Sequence, residues 1–243
     1  MATLFVSDLH LSAERPAQRD LFLAFAEHAC STARALYILG DLFEVWLGDD
    51  DDTPPHPQVI EALKRVSEAG VELSVGHGNR DFLFGRRFER ATGARLMADY
   101  EVIDLCGQRT LLTHGDLLCT KDVKYQKFRK FVRNPIVRSA FLGAPLSLRR
   151  RIALKTQSGT KASMRAKPDD IMDVDEETVT KVMAAHGVTL LIHGHTHRPA
   201  IHQLDIEGRA CRRIVLGDWY EQDSVLLCDG DGPRALRVSE FLG

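Results

Sequence analysis

The sequence has no long apolar run, no closely paired cysteines, no internal repeat and no low-complexity tract. Its apolar stretches fall well short of the roughly 18 to 20 residues that a membrane-crossing helix needs. No basic stretch precedes an apolar one at the N-terminus, and Met1–Leu11 reads as a strand running into a polar motif, so no signal peptide is expected. The five cysteines (Cys30, Cys106, Cys119, Cys211 and Cys228) are odd in number, and none is at Cys-x-x-Cys spacing. A disulfide scaffold is excluded, and reduced thiols in a cytosolic protein are expected. With 44% hydrophobic residues, 18 glycines and 9 prolines in 243 positions, the chain is neither disordered nor collagen-like. That length suits one large domain, or one domain with an insertion.

What is present is unevenly spread. The net charge is −2, yet residues 121–167 hold 14 Lys or Arg against one acid, Asp122, a net of +13. The other 196 residues hold 18 basic and 33 acidic side chains, a net of −15. A basic block inside an acidic body points to an anionic partner.

The first half alternates short apolar runs with helical periodicity. Strands are expected at Thr3–Ser7, Ala35–Leu39 and Val71–Val75, and helices at Arg19–Cys30, Pro57–Ala69 and Phe82–Thr92. This βαβαβ rhythm implies an α/β fold with a mostly parallel inner sheet and helices outside. Glu101–Leu105 and Arg109–Thr113 flank Cys-Gly-Gln and read as a hairpin. The basic window is helical by pattern, with breaks at Asn134-Pro135 and near Gly143–Pro145. Asp175–His186 reads as a helix, Thr189–His193 as a strand, and the tail as three or four short strands. The acidic run Asp49–Asp52 reads as a solvated loop.

Five of the apolar strands end in residues able to bind metal. They lead to Asp8-Leu-His10, to Asp41, to Asn79-Arg80-Asp81, to His114-Gly-Asp116 and to His193-Gly-His195-Thr-His197. In open α/β sheets the ligand crevice lies outside the carboxyl ends of the strands, so all five clusters converge on one edge. Asp8 and His10 are two apart and share a side of the strand end, as do His195 and His197. Seven such groups are too many for one tetrahedral zinc. Carboxylate, imidazole and amide oxygen without thiolate suit Mn²⁺, Fe²⁺ or Mg²⁺ in a two-metal site, with ions about 3.5–4 Å apart. The natural chemistry is hydrolysis of a phosphoester or phosphoanhydride.

In this order the motifs resemble those of the calcineurin-like metallophosphoesterase superfamily: D-x-H, G-D, G-N-H, H-G and G-H-x-H. They read here as Asp8-Leu-His10, Gly40-Asp41, Gly78-Asn79-Arg80, His114-Gly115 and Gly194-His195-Thr196-His197. The resemblance implies a four-layer αββα sandwich, made of residues 1–120 and 168–243, with 121–167 as a helical lid. Arg80 stands where the superfamily usually has His. A guanidinium can fork onto phosphate oxygens but cannot serve as a general acid near neutral pH, which favours a leaving group that departs unprotonated, such as phosphate.

Ala2–Leu11, Gly40–Glu44, Gly78–Phe82, His114–Asp116, Ile171–Val174 and His193–Pro199 further resemble the branch acting on acylated UDP-glucosamine lipids in lipid A biosynthesis. That implies two metal ions, with Mn²⁺ expected. One would be held by Asp8, His10, Asp41 and His197, the other by Asp41, Asn79, His114 and His195. Catalytic roles fall on Asn79, Arg80, His114 and His195, and substrate contacts on Asn79, Arg80, Asp122, Thr160, Lys167 and His195. Met164 stands where a polar residue is usual, so no contact is carried over there. His77, Asp116 and His193 are candidate supports for the ligands or packing residues.

The basic window mixes its charges with Phe128, Phe131 and Val132 at i, i+3, i+4. Two compatible readings stand: an amphipathic helix pair packed on the body, or a lid that takes acyl chains while Lys and Arg meet anionic headgroups. The expected partners are the acylated UDP-glucosamine lipid and the cytoplasmic face of the bacterial inner membrane. The window contains no nucleic-acid-binding module, so nucleic acid is not expected, and no obligate protein partner is evident.

Overall fold

A computed structural model describes residues 1–165 and 173–243, with side chains for 1–156 and 173–243. Strands β1 (Ala2–Val6), β2 (Ala33–Ile38), β3 (Glu72–Val75) and the short β4 (Arg95–Leu96) run parallel. Between them lie α1 (Pro16–Thr32), α2 (His56–Glu68) and α3 (Arg86–Thr92). A hairpin of β5 (Glu101–Leu105) and β6 (Gln108–Leu112) starts a second sheet, which continues with β7 (Leu190–His193), β8 (Ala200–Ile206) and β9 (Arg209–Val215). The chain then returns to the first sheet with β10 (Ser224–Asp229) and β11 (Gly232–Arg237) and ends in α8 (Val238–Leu242). The orders are β11-β10-β1-β2-β3-β4 and β5-β6-β7-β9-β8.

Strand alternation explains why the sheets stack. On β1, Leu4 and Val6 pack with Phe22 and Phe25 of α1, and with Val59, Leu63 and Val66 of α2. Phe5 points the other way and meets Leu112, Leu190, Ile192 and Ile214 of the second sheet. On the far face of that sheet, Leu111 and Leu191 pack on Val179 and Met183 of α7 (Glu176–His186). The result is four layers, αββα. Each fully buried Leu, Val or Phe contributes about 1.5–3 kcal/mol, so the period-2 pattern fixes the layering.

The insertion forms α4 (Val123–Val132), α5 (Pro135–Leu142) and α6 (Leu146–Arg165). Asp122 caps α4 by accepting from the Tyr125 N–H, and Asn134 caps α5, with Pro135 at its first turn. The expected break at Asn134-Pro135 is therefore present. Neither α4 nor α5 has a buried residue. Among the described residues, eight of the ten exposed large apolar side chains lie here, including Phe128, Phe131, Ile136 and Leu154.

Two local readings need correcting. The third helix begins at Arg86, not Phe82. Asp81 accepts from the N–H groups of Gly78 and Leu42 at 2.9 and 2.7 Å and holds the preceding residues in a loop. Asp49 then accepts from the N–H groups of Gly85, Arg87 and Phe88 and sets the helix start. The run Asp49–Asp52 is thus not simply a solvated loop. Asp50 pairs with the buried Arg149, and Asp51, itself buried, lies 3.1 Å from Arg150. With Arg129 and Arg133 on Asp99 and Lys121 on Asp175, these pairs dock the basic insertion on the acidic body.

Candidate metal centre

All five predicted strand ends converge at the carboxyl edges of the two sheets. Asp41 Oδ2 lies 3.8 Å from His10 Nε2 and 3.8 Å from His114 Nε2. On the His10 side, His197 Nε2 lies 3.3 Å from Asp8 Oδ1 and 3.4 Å from His10 Nε2. On the His114 side, Asn79 Oδ1 lies 3.1 Å from His114 Nε2 and 3.0 Å from His195 Nδ1. Asp8, His10, Asp41 and His114 are buried. The seven predicted ligands are therefore brought together, with Asp8, His10 and His197 in one close group and Asp8, Asp41 and His114 in another.

The backbone is bent sharply to do this. Asp8, His10, Asp41, His195 and His197 all have φ between 48° and 71°, a left-handed conformation that is uncommon outside glycine. Such strain concentrates where a site demands it. The neighbouring glycines serve a different need, close approach: a Cβ on Gly78 would run into the Asp41 carboxylate, and one on Gly194 into that of Asp8. Each aspartate turns one oxygen inward and gives the other to the backbone. Asp8 Oδ2 accepts from the His195 N–H and Asp41 Oδ1 from the Arg80 N–H, both at 2.8 Å.

Acceptors on the outer side orient the imidazoles. His114 Nδ1 lies 3.1 Å from the Leu39 carbonyl oxygen, His10 Nδ1 3.3 Å from Glu44 Oε2, and His197 Nδ1 3.3 Å from Asp218 Oδ2. The Leu39 carbonyl can take the Nδ1 proton of His114, which leaves its Nε2 a lone pair toward the centre, while the Glu44 and Asp218 carboxylates face the outer edges of His10 and His197. Oxygen and imidazole donors converging without thiolate fit hard or borderline divalent ions.

Electrostatics agree with a demand for positive charge. Burial alone would lower the His197 pKa, but hydrogen bonds to Asp218 and Asp8 outweigh it and raise it to about 10. Burial likewise opposes protonation of His114, yet Asp41, Asp8 and Asp116 push its pKa up. Without cations, the carboxylates draw protons onto these imidazoles. His195 goes the other way, to about 4, through burial and the His114 charge, and so presents a neutral ring.

Arg80 sits at the rim, with Nη1 3.7 Å from Glu44 Oε1. Burial would raise the Glu44 pKa, but His10, Arg80 and the Tyr220 hydroxyl hold it down to about 2. Asp122 is nearly buried at its capping position. Thr160, Met164 and Lys167 lie outside the residues whose side chains are described. Of the other candidates, Asp116 binds the insertion and His193 lies 3.4 Å from Arg213. His77 Nε2 lies 3.2 Å from the Phe84 carbonyl oxygen, which places His77 in loop packing.

Sequence reasoning missed Glu44, Asp218 and Tyr220 as supports of His10 and His197. A signal for Asp218 existed: Leu216-Gly217-Asp218 after β9 repeats Leu39-Gly40-Asp41 after β2. Tyr220 had none; its ring stacks on His10 at 4.8 Å, and its hydroxyl donates to Glu44.

A double sandwich whose strand ends gather aspartates, histidines and an asparagine into one metal-capable cluster defines a metallophosphoesterase. The chain belongs to the calcineurin-like phosphoesterase family, whose model matches residues 1–199. It is 50% identical over 239 residues to the UDP-2,3-diacylglucosamine hydrolase of Stenotrophomonas maltophilia (strain K279a), covering 96% of each chain. To the protein of that name in Pseudomonas aeruginosa (strain UCBPP-PA14) it is 47% identical over 234 residues, covering 96% of this chain and 98% of that one. Among solved structures, an archaeal phosphodiesterase shares the fold at a TM-score of 0.51 and 12% identity, covering 97% of this chain and 99% of that chain.

Proposed function

We propose that this chain hydrolyses the pyrophosphate bond of UDP-2,3-diacylglucosamine by attack of water on the α-phosphorus, yielding UMP and 2,3-diacylglucosamine 1-phosphate, a step of lipid A biosynthesis. The observation that carries the chemistry is the Asp41 oxygen set equally far, 3.8 Å, from the His10 and His114 nitrogens. The names of relatives at about half identity over nearly the whole chain support the substrate. Asp8, His10, Asp41 and His197 would hold one divalent ion, and Asp41, Asn79, His114 and His195 the other, with Mn²⁺ the expected metal. Such a pair, when bound, acidifies a water and neutralises phosphoryl oxygens.

The remaining roles belong to side chains. Arg80 forks onto the pyrophosphate oxygens and gains contact as charge develops on the departing phosphate. It stays charged throughout and transfers no proton. Asn79 and His195 orient the substrate as well as binding metal, and Asp122, Thr160 and Lys167 complete the contacts. The exposed apolar faces of α4–α6 receive the acyl chains, as a lid over the site. No helix among the described residues is long and apolar enough to cross a membrane. The insertion's lysines and arginines would then hold the protein reversibly at the cytoplasmic face of the inner membrane, each contributing about 1 kcal/mol.

The test is turnover of the acylated UDP-glucosamine in ¹⁸O-labelled water. UMP carrying the label, lost with chelator and restored by Mn²⁺, is expected. Release of UDP or inorganic phosphate, or label on the lipid phosphate, overturns the assignment of the attacked atom.

A further inference from the structure

Arg15 stands at an unexpected place. It is the residue before the first turn of α1, a position that favours Ser, Thr, Asp or Asn. It makes no side-chain cap, no acid occupies the first turn, and a cation there opposes the helix dipole. The helix gains nothing from it. The guanidinium carbon instead lies 4.0 Å above the centre of the Tyr220 ring. The opposite face of that ring stacks on His10, and its hydroxyl donates to Glu44, which also faces Arg80. Arg15 is thus exposed at the rim of the metal centre, on the side of the Asp8–His10–His197 set.

A guanidinium stacked on a ring uses its face and keeps its in-plane N–H groups free for a bidentate acceptor. Among the described residues Arg15 has no carboxylate partner and no side-chain hydrogen bond, unlike Arg129, Arg133 and Arg149 of the insertion. The insertion contacts the other half of the centre. Tyr125 lies against His195, and Arg133 donates to the Gly78 carbonyl beside Asn79. If acyl chains rest on the insertion, the glycolipid half of the substrate occupies the Asn79–His114–His195 side. The nucleotide half is then directed to the edge that carries Tyr220 and Arg15.

We propose that Arg15, held over Tyr220, binds the phosphate of the nucleotide half of the substrate and of the UMP product. This rests on the pyrophosphate reading above. Hydrolysis adds one water and leaves two phosphate monoesters where one bridged diester stood. Each gains an ionisable oxygen, so the cation favours the nucleotide product more than the nucleotide moiety of the substrate.

The test compares wild type with Arg15→Ala and Arg15→Lys under Mn²⁺, with UMP and 2,3-diacylglucosamine 1-phosphate as separate product inhibitors. Mn²⁺ affinity is measured in parallel. Loss of one charge-assisted contact predicts about tenfold weaker inhibition by UMP for Arg15→Ala. Inhibition by the lipid phosphate and Mn²⁺ affinity are expected to hold, and Arg15→Lys to recover part of the loss. Unchanged inhibition by UMP, or equal weakening toward both products, overturns the proposal. Weakened Mn²⁺ binding does too, because it means Arg15 acts through Tyr220 on the metal centre. If the wild type itself releases no UMP, the pyrophosphate reading fails, and this inference with it.

Discussion

Arg129 Nε donates to Asp116 Oδ2 at 2.6 Å, joining the insertion to the loop that carries His114. Tyr125 gives its hydroxyl proton to the same oxygen, also at 2.6 Å. Burial would raise the Asp116 pKa, but His114, Arg129, His195 and Tyr125 together hold it below the usual range. Arg129→Met leaves that carboxylate buried without its guanidinium and is expected to cost about 3–5 kcal/mol, measured by denaturant unfolding. The sign follows from a lowered folded-state pKa. The contribution is complete above the unfolded value near 4 and disappears as pH falls below it, so the two proteins should converge in acid.

For metal binding the sign reverses. His197, with its pKa raised to about 10, is protonated in the metal-free protein at neutral pH. The stabilisation from that proton is complete below the unfolded value near 6.5 and is lost as pH rises through about 10. Metal binding must displace it, so affinity should rise with pH and binding should release protons. Titration calorimetry in buffers of different ionisation enthalpy counts them. Asp218→Asn, which removes one of the groups that raise this pKa, should reduce the number released.

Arg80→Ala is expected to lower kcat by about 10²–10³-fold with a smaller change in KM, because the clamp gains strength as the phosphate departs. Steady-state kinetics on the acylated substrate separate the two. A change confined to KM would mean that Arg80 binds substrate and transition state alike.

The apolar surface of the insertion gives another expectation. Phe131 and Ile136 are 62% and 80% exposed, and removing both with serine should leave stability within about 0.5 kcal/mol. Sedimentation with anionic vesicles should fall, and KM for the acylated substrate should rise about tenfold. If both measurements match wild type, these side chains meet neither lipid nor membrane.

Much of this was legible in the chain because period-2 alternation and terminal polar residues coincide. Leu4 and Val6 facing away from Phe5 give the layering, and the same strands deliver Asp8, Asp41 and His114. The seven donors could be named because each follows an apolar strand directly. Glu44, Asp218 and Tyr220 could not, since their roles depend on which imidazole edge they meet across 34, 21 and 210 positions of chain. The start of α3 was hidden for a similar reason: Asp49, 36 residues away from Gly85, sets it. The acidic run was misread because its partners Arg149 and Arg150 lie about a hundred residues on. Local pattern carries the sheet and its ends. Pairings between distant loops carry everything that orients them.

The left-handed backbone at Asp8, His10, Asp41, His195 and His197 has a practical corollary for mutagenesis. Asparagine tolerates this conformation and keeps an acceptor for the backbone N–H groups that Asp8 and Asp41 hold, so inactivating Asp8→Asn and Asp41→Asn chains should express and melt much like the metal-stripped parent. A screen that scores abundance alone would pass such chains as healthy, and only an assay of turnover would expose them.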